Sequence, residues 1–430
     1  MPTTRAEEYR FTDLSPLTSF TLSDAAAGTT NDASLREAVQ ALVWEGVRGS
    51  VLVTVDGLVR PDLSDVSALA AKNVYAGPLS GAPEEAASRL GELSAARGGP
   101  FAAVNGALAR DAVVLSVAAG AVLPRPLFVL HLSTGGASSS SSSSRAASAP
   151  RVLVVLGADA DAQLIEEHAS LPSSSSSSSS VFEDAVAEVF LARGAKLRHS
   201  YAARPGADSS STTSSTSLPP IHIRATLVDQ SERSSYTLAE VRAGGAQGAL
   251  TRHDLDVRQL GPDTETQLRH FALCGPGQLH DLHTRLDLDH PRAKANQLHK
   301  CIAAAATSRG VFDGGVRVGR GAQQTDAGQL TRSLLLAPRA TVHAKPNLQI
   351  VADDVRCTHG CAISDLADEE LFYFRARGVP REQARAALVA SFGGEVVRAL
   401  GSEGLEARVR KDTIAALRAA DALPVSVGDA

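Results

Sequence analysis

Apolar positions in the first hundred residues recur mainly at helical spacing. In LREAVQALVWEGV, Leu35, Val39, Leu42 and Val43 share one face, and the run closes near Gly46. VLVTVDGLV then alternates on either side of Asp56-Gly57, the signature of two strands joined by a tight turn. SGAPEEAASRLGELSAAR returns to a short helix, with Pro83 and two glutamates in its first turn. Residues 1–100 are therefore expected to form a mostly helical region.

From 101 to 355 the texture changes. Short apolar runs such as AVVLSVAAGAVL, PLFVLHLST, RVLVVLG and AKLRHSYAA are separated by Gly, Pro and Asn. Further on, TRHDLDVRQLG, TETQLRHFALCG and QLHDLHTRLDLDH alternate at period two, each closed by turn residues. Many short strands without intervening helices predict an all-β unit. A sandwich, a barrel and a parallel β-helix all satisfy the pattern. The length of the run, its few aromatics and the lack of a Cys–Trp–Cys signature favour the β-helix. Serine tracts at 138–144 and 173–180, and a mixed one at 209–217, bury too little apolar surface to order themselves. They are expected to be disordered loop insertions at exposed turns.

Residues 356–430 turn helical after Gly360. Asp365 to Arg377 reads as one short helix stopped by Gly378, and Pro380 opens a second. There Ala384, Leu388, Phe392, Val396 and Leu400 form an i, i+4 stripe, and a third helix follows over about 403–420. The stripe needs a surface, and a partner protein is one candidate.

Composition narrows the function classes. A net charge of -5 over 430 residues, with both signs interspersed, indicates neither a nucleic-acid footprint nor a membrane-surface patch. Aromatics at 4%, with Trp44 the single tryptophan, argue against a stacking platform for bases or sugars. No apolar run approaches the roughly 20 residues of a membrane span. The N-terminal segment MPTTRAEEYRFTDLSPL has no apolar core of a secretory signal. Four cysteines, Cys274, Cys301, Cys357 and Cys361, are too few for a disulfide framework and favour a reducing compartment.

Reactive side chains concentrate in KPNLQIVADDVRCTHGCAISDLADEELFYFRARG. Asp353 and Asp354 invite comparison with the paired acids of a β-helix polysaccharide hydrolase. Neighbours on a strand point to opposite faces, however, so a strand-end pair satisfied by backbone amides or Arg356 is the plainer reading. Cys357, His359 and Cys361 are metal-ligand types within five residues, but they make only half of a closed zinc site. An open site completed by another subunit fits the ligand count better; a buried thiol with a hydrogen-bonded imidazole is the alternative. His280, His283 and His290, with Asp281, Asp287 and Asp289, are expected mostly to face solvent, and Cys301 to lie in the core. No phosphate-binding loop, dinucleotide fingerprint or nucleophile elbow is present, so no nucleotide is expected to bind this chain itself.

RGVFDGGVRVGRGAQQTDAGQLTRSLLL and the KPNLQIVADDVRCTHG run closely resemble the SufB/SufD family of iron–sulfur cluster assembly proteins, on its SufD side. PTTRAEEYRFTDLSPL, VDGLVRPDLSDVSAL and FAAVNGALARDAVVLSVAAGAVLPRPLFVLHLST extend the likeness over most of the chain. The resemblance implies a right-handed parallel β-helix core flanked by helical regions. It implies a non-catalytic scaffold pairing with SufB through the β-helix ends, each subunit carrying a copy of the ATPase SufC on its C-terminal helices. His359 matches the family histidine placed at the SufB–SufD interface, where a transient iron–sulfur cluster would form with a cysteine from SufB. Cys357 matches the family cysteine two residues earlier, while Cys361 carries no assigned role. Leu371, Phe372, Tyr373 and Arg377, with Leu388 and Phe392 of the next helix, would dock SufC. The serine tracts point to a plastid-type member in the chloroplast stroma, its transit peptide absent from this numbering, or to the cytoplasm if the source is bacterial. A SufB-type scaffold working as a homomer is the rival within the same family.

Overall fold

The computed structural model describes residues 2–18, 21–24, 32–70, 73–135, 144–171, 181–204, 219–366 and 368–423. The serine tracts fall outside the described residues, except Ser144, which opens the strand Ser144–Ser148.

The period-two segments wind into a parallel β-solenoid. Successive strands alternate between two sheets, and each strand pairs in parallel with the strand two places on. In the first sheet Leu250–Gln259, Leu279–Leu288, Arg309–Val318 and Thr341–Ile350 stack in order. In the second sheet Glu265–Cys274, Lys294–Ala303, Asp326–Leu335 and Arg356–Ser364 do the same. The chain returns to register after roughly 30 residues, a repeat length typical of solenoids.

One residue turns each corner into the second sheet. Asp159, Gly194, Arg233, Asp263, Arg292 and Gln324 all have φ between 57 and 71° and each stands two residues before a strand. Their backbone N–H groups donate to the next corner, as Arg233 does to Pro262 O at 2.9 Å and Gln324 to Asp354 O at 2.6 Å. The corners therefore stack like the strands.

Inside, alternate side chains from the two sheets meet. One half of the interior is apolar, built from Leu164, Leu197, Leu268, Val257, Leu286 and Val316 with their neighbours. The other half is polar. Outside, both sheets are clothed. Tyr9, Leu14, Leu17 and Phe101 cover Phe182, Ile223, Leu279 and Val311 on the first sheet. On the second sheet, the helices Arg381–Phe392, Gly394–Arg398 and Glu403–Ala419 pack Val389, Val396, Val397, Leu405 and Val409 onto Phe271, Leu273 and Ile302. Helix Asp32–Leu42 joins them through Leu35.

Three expectations change against this architecture. The strand ladder starts at Val51–Val55, parallel to Leu127–Ser133, and ends at Arg356–Ser364, so it runs beyond both 101 and 355. The stripe from Ala384 to Leu400 is interrupted where one helix ends at Phe392 and the next begins at Gly394. That stripe lies on the protein's own second sheet, which supplies the surface it needs. Finally, His280 and Asp281 do not face solvent. His280 points into the solenoid, and Asp281 is covered by the N-terminal segment, whose Thr12 hydroxyl donates to it.

Candidate functional site at the open end of the solenoid

Both sheets finish on the same coil. Thr341–Ile350 is the last strand of one and Arg356–Ser364 the last of the other. Among the described residues neither has a neighbour on its outer edge, so two strands of ten and nine residues present unpaired backbone groups side by side. Exposed edges of this length are templates for another chain. The same end exposes Leu330, Ile350, Val351 and Ile363.

Cys357, His359 and Cys361 lie on this final strand, opposite Ala327, Gln329 and Thr331. Their i, i+2, i+4 spacing puts all three on one face. It is the inward face, because Ala327, Gln329 and Thr331 are buried and Cys357 packs against the apolar half of the interior. No further coil closes over them, so His359 and Cys361 are exposed although they occupy interior positions. Partial burial pushes the Cys357 thiol up from its ordinary pKa. The arrangement offers thiol, imidazole and thiol in a row at an open mouth, with room for ligands from a second molecule.

Asp353 and Asp354 sit in the turn between the last two strands, exposed. The backbone N–H of Asp354 donates to Gln323 Oε1 at 2.9 Å, a structural contact. Carboxylates do converge in an outer groove of about 780 Å³ on the first sheet, but Asp353 and Asp354 are not in its lining. Those that the sheet itself contributes are met by cations, as Asp256 by Arg97 at 3.1 Å, Asp254 by Arg252 at 2.8 Å and Asp287 by Arg317 at 2.9 Å. The strand carboxylates of this groove are thus engaged in ion pairs.

The helix Asp368–Arg375 buries Leu371 but leaves Phe372 at 69% and Tyr373 at 56% exposure. The Arg377 guanidinium lies 3.5 Å from the Tyr373 ring centroid, so the aromatic pair ends in a fixed charge. Leu388 and Phe392 are half-buried, Phe392 beneath the Lys300 ammonium at 5.1 Å. The proposed docking residues thus fall into an outward pair on one helix and a partly covered pair on the next.

Residues 138–392 match the family described as "SUF system FeS cluster assembly, SufBD core domain". The chain belongs to the SufBD family. It is 39% identical over 404 residues to the chloroplastic protein ABCI7 of Arabidopsis thaliana, covering 92% of this chain and 78% of that one. It is 26% identical over 415 residues to the iron–sulfur cluster assembly protein SufD of Escherichia coli, covering 95% and 88%. A SufBD family protein of Synechocystis is 30% identical over 418 residues, covering 96% and 86%. This member is SufD-like and of the plastid type, and it is related to iron–sulfur cluster assembly along nearly its whole length.

Sequence reasoning missed the polar half of the interior. Arg224 grips Glu166 with both terminal nitrogens at 2.8 and 2.9 Å, and His199 Nε2 reaches the same carboxylate at 2.8 Å. Glu183 takes His168 Nδ1 at 2.5 Å and His222 Nδ1 at 2.8 Å. Farther along, Glu240 accepts from His253 at 2.8 Å and His270 at 3.0 Å and pairs with Arg242 at 2.5 Å. Burial alone would raise Glu166, yet Arg224 and three imidazoles hold it well below the usual carboxylate range. Burial drives His131 and His222 down to about 4. The signal was available: His222, Arg224 and Thr226 in IHIRATLVDQ occupy alternate positions between apolar ones. Alternation alone, however, does not say which of the two sets faces inward.

Proposed function

We propose that this SufBD family member is a non-catalytic scaffold subunit for iron–sulfur cluster assembly. It pairs with a SufB-type partner through the open end of its solenoid. One observation carries this reading: among the described residues both sheets terminate in unpaired strands on the very coil that presents Cys357, His359 and Cys361. A partner strand laid on those edges satisfies the backbone and covers Leu330, Ile350, Val351 and Ile363. It also brings its own ligands to His359 and Cys357, where a transient cluster is built as cargo. An imidazole and thiols at a mouth between subunits suit iron, which these ligand types bind. The outward Phe372 and Tyr373, bounded by Arg377, form the docking site for a SufC-type ATPase, with Leu388 and Phe392 behind them. This chain itself binds no nucleotide. The relation to a chloroplastic protein supports a place in the plastid.

Co-expression with SufB and SufC, followed by size-exclusion chromatography, tests the assembly. A single three-protein peak is expected, and elution of this chain alone or as its own dimer overturns the pairing. Within that complex Phe372→Asp is expected to release SufC while SufB stays bound. His359→Ala is expected to leave assembly intact and to reduce cluster formation, followed by absorbance under anaerobic reconstitution. Normal cluster yield from that variant removes the interface role.

A further inference from the structure

Most of the buried polar column is accounted for by pairing within it, but its N-terminal end carries a surplus of ligand atoms. Two overlapping buried triads, His131–Glu166–His168 and His168–Glu183–His222, each present one ligand atom per residue within 4.8 Å of one another. Glu166 is already committed to Arg224 and His199, which cancels its charge. Among the described residues no guanidinium grips Glu183. Two imidazoles instead aim Nδ1 at the same carboxylate oxygen, Oε1, from 2.5 and 2.8 Å. Beside them, the buried Nε2 of His131 has only the Glu166 carboxylate at a long 3.5 Å, and its ring stacks on that of His168 at 4.3 Å between centroids.

We propose that His168, Glu183 and His222 hold a divalent first-row transition metal ion inside the solenoid, remote from the open end. Two imidazoles and a carboxylate form a donor set that binds zinc and its neighbours in open sites. The surroundings are those of a built site. Tyr201 Oη lies 2.6 Å from His222 Nε2 and fixes that ring, leaving Nδ1 for the ion. The Ser133 hydroxyl donates to the second oxygen of Glu183, orienting the carboxylate. A small cavity lined by Ser133, His168, Glu183, Ala203 and His222 adjoins the triad and gives the ion a fourth position for water. The ion would tie together three strands of the early coils, Asp161–Ser170 through His168, Val181–Leu191 through Glu183 and Ile221–Gln230 through His222.

The test uses the full chain, purified without a histidine tag, stripped with chelator and dialysed anaerobically against Zn²⁺ or Co²⁺. One tightly held ion per chain is expected, with a raised melting temperature. X-ray absorption of the zinc form is expected to show two imidazoles and oxygen with no sulfur. The variant Cys357→Ser/His359→Ala/Cys361→Ser keeps the ion, whereas His168→Gln/His222→Gln loses at least about tenfold in affinity. A sulfur ligand, loss of the ion in the triple variant, or no stoichiometric binding overturns the proposal. Should His168→Gln/His222→Gln fail to fold, the absorption spectrum of the unaltered protein decides.

Discussion

At Gly404 a β-carbon would fall 2.3 Å from Trp44 Cγ. The indole cannot retreat, because it is wedged between Phe128, 4.8 Å away between centroids, and the Arg408 guanidinium at 5.2 Å. Arg408 is itself fixed by Glu167 at 2.7 Å and by Leu42 O at 2.7 Å. In an exposed helix, glycine to alanine would gain about 1 kcal/mol from propensity. Here overpacking is expected to outweigh that gain, so Gly404→Ala should destabilise the protein by about 1–3 kcal/mol. Urea unfolding measures the sign, and a stabilised variant would show that the helix slides freely over Trp44. In the sequence Gly404 looked like any helix-weakening glycine, because its reason lies 360 positions away in the single tryptophan. His359 and Cys357 were legible for the opposite reason. Their chemistry is local, three reactive side chains on one strand, and their exposure follows from being last.

At the scale of elements the strands were readable and the corners were not. Alternation marks a strand whatever lies above it, but the corner residue is Asp, Gly, Arg, Asp, Arg and Gln in successive coils. The corner is maintained by backbone hydrogen bonds between coils, which ask nothing of the side chain, so no repeat shows in the letters. A non-glycine residue held at positive φ costs roughly 1 kcal/mol, offset by the ladder it completes. Gln324, at φ 61°, can therefore be relieved. Gln324→Gly keeps the N–H bond to Asp354 O and is expected to raise stability by about 0.5–1 kcal/mol after the glycine entropy cost. A lower denaturation midpoint would mean that the side chain contributes to the turn. The C-terminal stripe illustrates the limit of periodicity from the other side. It foretold a buried face, but the solenoid's second sheet proved to be its partner, and only the coil geometry identifies that sheet.

The whole molecule is a column with an ionised interior, which gives its stability a definite pH dependence. Burial holds His131 and His222 at about 4, and His253, His280 and His299 at about 3, in the folded state. In the unfolded chain each returns to about 6.5. Between those values the unfolded state binds more protons, so these five side chains withdraw stability as pH falls below about 6.5. Two others oppose them. His168, despite its burial, is raised by Glu183 and Glu166, and His283, likewise buried, by Asp281. Their contribution is complete in acid and lost as pH rises through their folded values. Below about pH 6.5 the folded and unfolded chains alike hold the protons of His168 and His283, so that pair does not offset the loss and the five depressed imidazoles set its sign there. With chelator present, the urea midpoint is expected not to fall between pH 8 and 7, where the raised pair gains its protons, and to fall steeply from about 6.5 to 5. Acid should therefore loosen the column from within before the carboxylates of Glu166, Glu183 and Glu240, all held well below their ordinary range, begin to protonate. A midpoint unchanged down to pH 5 would mean that water reaches these imidazoles and that the interior is not the closed ionic core described here.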